Sequence, residues 1–172
     1  MREEHELDFD LNQVMVKPLY FGLFVNVLIP AALLFACYYL DQRSYVANRA
    51  GNFANALYYI IGALSLGQIG VALWWRHKRL EQPMIRRRES FAEDLAHGLL
   101  AGLRPIFLLI AAIAVYGIIY FFLTGRFEES LFVVLVSFLA FQIVRPRTKS
   151  TMKVVEIQED HVAAGRFLEP GA

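Results

Sequence analysis

Apolar residues gather in four long runs, at about 19–40, 53–75, 105–124 and 129–144, with almost no charge inside any of them. Each run is apolar all round rather than on one face. That is what lipid demands of a spanning helix, and it is not what an amphipathic surface helix shows. A helix needs ~20 apolar residues to cross ~30 Å of hydrocarbon. The first three runs meet that length. The fourth is short, and it spans only if Phe127 and the Glu128–Glu129 pair reach the interface or the bilayer thins locally.

Between the second and third runs the period changes. Phe91, Leu95, Leu99 and Leu103 recur every fourth residue, and Ser90 and Glu93 fit a Ser-x-x-Glu capping box. This predicts a short amphipathic helix lying on a leaflet and ending where Pro105 opens the third span. Gly98 and Gly102 weaken it. After the fourth run, Arg145-Pro146-Arg147 stops the helix. Met152 to Gln158 is β-prone but short, and the rest of the tail reads as disordered. The expected fold is all-α: an integral membrane four-helix bundle of two antiparallel transmembrane hairpins. It comes with a short cytoplasmic amphipathic helix and a mostly disordered C-terminal tail. Residues 1–18 form an acidic N-terminus, 19–144 the spanning domain with its loop at 76–104, and 145–172 the tail.

Charge sets the orientation. Of the 17 Lys and Arg, 14 fall on the side of the N-terminus, the middle loop and the tail; only Arg43, Arg49 and Arg126 fall on the other. By the positive-inside rule both termini are expected to face the cytoplasm, and the expected location is the cell (inner) membrane. Trp74 and Trp75 close the second span at the basic side, and Tyr38 and Tyr39 close the first at the far side, as an interfacial belt. The acidic start does not resemble a signal peptide. The net charge of +1 creates no global field for nucleic acid, and hydrophobic residues at 57% exclude a disordered chain. A single cysteine, Cys37, allows no internal disulfide and no zinc cluster.

The candidate chemistry is sparse. All acids, all Lys and Arg, and His5, His77, His97 and His161 fall outside the core of the spans. Proton relays, ion paths and haem ligation by intramembrane histidine therefore have no residues to use, and no other cofactor or metal is called for. Ser65 and Ser137 have no intramembrane base. Neutral polar residues do occur at depth. Asn26, Gln68 and Ser137 lie at a common level about 10 Å below the basic interface. Pro30 frees the carbonyl of Asn26, and Gln68 is a plausible donor to it. This intramembrane polar layer (Asn26, Pro30, Gln68, Ser137) serves either as packing glue or as the lining of a path.

Two roles suit the basic residues Arg76, Lys78, Arg79, Arg86, Arg87, Arg88, Arg145, Arg147 and Lys149. They hold the orientation, or they contact anionic headgroups or an acidic partner on the cytoplasmic side. Partners expected on these grounds are the bilayer and another membrane protein or a second copy, not nucleic acid. Three functions follow in order: a non-enzymatic accessory, assembly or scaffold component of a larger membrane complex or homo-oligomer; an oligomeric permeation pathway or small exporter for a neutral or amphiphilic solute, lined by Asn26, Gln68 and Ser137; and a lipid-modifying enzyme built around Glu93, Asp94 and His97.

Overall fold

A computed structural model describes residues 11–43, 51–87 and 90–168. Among these residues the structure is helical, with no strand. The first rod is α1 (Leu11–Leu23), a π-helical turn (Phe24–Leu28) and α2 (Ile29–Gln42) in unbroken succession. Then come α3 (Ala54–Leu80), α4 (Phe91–Thr124), α5 (Phe127–Val144) and α6 (Thr148–Ala163). Four helical rods are long and apolar enough to cross a membrane, and the chain reads as a multi-pass membrane protein.

The π turn has a local cause. Pro30 has no N–H to give the Asn26 carbonyl. The helix widens by one residue just before it, and the Ile29 N–H bonds Phe24 O instead. A π turn inside an α-helix is rare, and such turns gather at functional positions. Here it holds the buried Asn26.

α4 is the central element, packed against α1, α2, α3 and α5. Half of its most apolar window is buried, against 17% for the first rod and for α3, so those two present most of their surface outward. Phe107, Ile110, Ile113 and Phe121 are fully buried along α4. α3 commits only a narrow stripe to the interior, at Ala54, Ile61, Ser65 and Ala72. α5 begins at Phe127 and takes in Glu128 and Glu129, which suit the positive end of a helix. Its 18 residues reach about 27 Å, which resolves the shortness of the fourth run.

Two sequence expectations are corrected. The helix expected to lie on a leaflet is not separate. Phe91, Leu95, Leu99 and Leu103 are indeed its buried face, but they are the first turns of α4, which runs straight through Pro105. A proline in a helix costs one backbone bond, here to the carbonyl of Ala101, and buried contacts on both sides of Pro105 outweigh that. The capping box does not form either. The Ser90 hydroxyl donates to Asp94 Oδ2 at 2.8 Å, and Glu93 is exposed.

The tail is also corrected, being neither strand nor disordered over 148–163. Thr151, Val154 and Gln158 recur at helical spacing and are buried, and Ser150 and Arg147 cap the start of α6. Val154 joins Val14, Ile85 and Leu95 in one apolar cluster at the basic end of the rods. α4 is about 51 Å long, more than the ~30 Å of hydrocarbon requires, and its first turns carry Glu93, Asp94 and His97. Burial from water stabilises there, at ~1.5–3 kcal/mol per large aliphatic side chain. Within the lipid that driving force is absent, and close packing and hydrogen bonds must serve instead.

Candidate functional site

Gln68 and Ser137 both fasten to α4, but by bonds other than the one expected. Gln68 does not reach the Asn26 carbonyl. Its Nε2 donates to the Leu109 carbonyl of α4 at 2.6 Å. Ser137, from α5, donates to the next carbonyl, that of Ile110, at 2.9 Å. Two helices thus fasten to adjacent carbonyls of α4 from different sides. A helical carbonyl has a second lone pair to offer, and a polar side chain in lipid has few other acceptors. Asn26 is 1% exposed and donates through Nδ2 to Gly22 O of its own rod at 3.2 Å. Its Oδ1 is buried without a partner among the described residues. Pro30 is buried beside it in the rod. Ser65 turns back onto Ile61 O at 2.7 Å and takes no part.

A second polar cluster, not foreseen, closes the opposite end. The Tyr120 hydroxyl donates to Glu129 Oε2. Glu129 Oε1 takes Arg126 Nη1 at 2.9 Å, and the same nitrogen reaches Asn55 Oδ1 at 2.6 Å at the start of α3. Ser130 donates to Gly117 O at 2.7 Å, fixing α5 on α4. The hydrogen bond that Arg126 donates to Glu129 pushes its guanidinium still higher than usual, so it stays a cation. The turn is tight because Gly125 takes φ 69°, the left-handed conformation that closes a helix. A sequence signal was present: a carboxylate three residues after an Arg, at the mouth of a hairpin whose other arm carries Tyr120 in its last turns.

At the basic end the loop 81–87 is held by side chains far from it in sequence. Gln158, fully buried, accepts the Met84 N–H at 2.8 Å and donates to Gln82 O at 2.9 Å. His161 Nε2 meets Glu81 O at 2.9 Å. Asp94 Oδ2 takes the Arg86 and Arg87 N–H groups at 2.9 and 3.3 Å. Asp94 thus serves the loop backbone, whereas Glu93 and His97 are exposed. No group of three or more His, Cys, Asp or Glu among the described residues could hold a metal ion.

The basic residues do not form one patch. Lys78 lies 5.4 Å from the Trp74 ring centroid, and Arg79 lies 5.9 Å from that of Trp75. Arg76 is half-buried on another face of α3, its Nε without a hydrogen-bond partner among the described residues, in electrostatic range of Arg147. Arg147 is exposed and bonds Gln142 O at 2.9 Å. Arg86, Arg87 and Lys149 are exposed, Arg145 is half-buried, and Arg88 lies outside the described residues. No protein-family model, no curated protein and no solved structure matches the chain.

Proposed function

We propose that the protein is a non-enzymatic accessory, assembly or scaffold component of a larger membrane complex, or of a homo-oligomer. On this reading the chain forms two antiparallel hairpins in the inner membrane with both termini cytoplasmic, as the 14-to-3 division of basic residues requires. One observation carries the proposal. Gln68 and Ser137, the polar side chains best placed to line a path, are both bonded to the backbone of α4. They act as fasteners between helices, which is what a rigid docking body needs. The loop and α6 support the same reading, since together they build an ordered face outside the lipid. Affinity capture from native membranes in mild detergent is the test. A stoichiometric membrane partner or a defined oligomer is expected. A clean monomer with nothing bound would sink the proposal.

A permeation pathway for a neutral solute is the second reading. The unpartnered Asn26 Oδ1 at the π turn favours it, being an acceptor left over for a guest. Solute flux in proteoliposomes that disappears in Asn26→Leu would support this reading. Flux unchanged in both Asn26→Leu and Gln68→Leu would remove it.

A further inference from the structure

α3 carries an amphiphilic track along its outer face. The sequence Trp74-Trp75-x-x-Lys78-Arg79 sets two cations one turn beyond two indoles. Each cation lies over its own ring, and with Gln82 the four residues enclose a pocket of about 210 Å³. Its side chains offer two indole N–H groups, an ammonium, a guanidinium and an amide. Neither Lys78 nor Arg79 is ion-paired among the described residues, where the ion pairs are His77–Glu81 and Arg126–Glu129. A donor-rich, uncompensated pocket at the end of a spanning helix is complementary to an anion.

Below it on the same face runs a mostly apolar groove of about 600 Å³, lined by Ala63, Leu64, Gly67, Val71 and the polar Gln68 of α3 and by Tyr116 of α4. A Cβ built on Gly67 would meet no heavy atom within 4 Å, so nothing in the protein fills the groove there. Residues 64, 67, 71, 74, 78 and 82 fall on one stripe at 3.6 residues per turn, which sets pocket and groove in line on one face of α3. From Trp75 down to Leu64 the rise is about 16 Å, close to one leaflet's half of the ~30 Å hydrocarbon.

We infer that this track is a seat for a single anionic phospholipid, its phosphate held by Lys78 and Arg79 against the two indoles and one acyl chain lying along the groove at Gly67. Charge complementarity at the top and an unfilled groove of leaflet depth below select this occupant. A zwitterionic lipid would bring a choline cation to a pocket that already holds two.

Trp74 and Trp75 are the chain's only two tryptophans, so intrinsic fluorescence reads the seat directly. The full-length protein is reconstituted in phosphatidylcholine vesicles, and brominated phosphatidylglycerol or brominated phosphatidylcholine is titrated in as quencher. The expected result is saturable quenching that prefers the phosphatidylglycerol. Lys78→Gln and Arg79→Gln each lower the preference about fivefold. Gly67→Leu, which fills the groove without a clash, also lowers it while leaving both cations in place. Lys153→Gln with Arg166→Gln, both exposed and away from the seat, leaves it unchanged.

Equal quenching by the two lipids would overturn the inference. So would a preference that survives Lys78→Gln with Arg79→Gln, or that falls as far in the Lys153 and Arg166 variant, since either result means a diffuse field. Insensitivity to Gly67→Leu would remove the acyl chain from the groove. Reversal of the quenching by millimolar inorganic phosphate would mean a free-anion site instead of a lipid seat.

Discussion

The Gln158 side chain accepts the backbone N–H of Met84 at 2.8 Å across 74 positions of sequence. With its Nε2 on Gln82 O, the one amide meets the loop backbone as a neighbouring strand would. Gln158→Leu keeps the bulk but leaves the buried Met84 N–H unbonded and takes the donor from Gln82 O. That costs about 1–3 kcal/mol. Hydrogen exchange at residues 82–85 should rise in step with exchange across α6. Unchanged protection in both segments would show that the amide is dispensable.

Gly98 lets the loop approach α4. A Cβ there would lie 2.8 Å from Met84 Cβ. Gly98→Val therefore forces Met84 outward, and overpacking of this kind costs about 1–3 kcal/mol despite the better helix propensity of the new residue. A lower melting temperature in detergent is expected. Gly102, with open space around it, is the control. Gly102→Ala should match or exceed the parent.

Pro105 interrupts one hydrogen bond in a helix that continues on both sides of it. Pro105→Ala restores the N–H and should stabilise by about 1–3 kcal/mol. A lowered unfolding midpoint in detergent would mean that the ring is needed for packing.

Gln68 and Ser137 reach neighbouring carbonyls from α3 and α5. Interhelical bonds in membranes average ~0.6 kcal/mol. Gln68→Leu and Ser137→Ala should each weaken the fold by about that much in reversible detergent unfolding. A loss of several kcal/mol from either change alone would point to a larger network than these two bonds.

The spans were legible because lipid accepts only unbroken apolar helix, so composition along the chain is nearly sufficient there. The end outside the lipid was harder. Val154, Val155 and Ile157 favour strand locally, yet tertiary burial of Thr151, Val154 and Gln158 makes that stretch a helix. The spacing of those three was readable in advance; the surface that receives them was not, because it is assembled from α1, the loop and α4. Pro105 misled in a similar way, since a boundary residue by local rule is overridden by packing on both sides. Gln68 and Ser137 were readable as polar residues within apolar runs. Their acceptors depend on how each helix is rotated, which sequence does not give.

The clasp between α6 and the 81–87 loop also bears on the order of events at the ribosome. Gln82 and Met84 emerge long before Gln158, and at 5–20 residues per second the delay is about 4–15 s. Through that interval the loop has no C-terminal partner. Orientation of the early hairpin must then rest on its own charges, and the loop is locked only by a segment translated well after it.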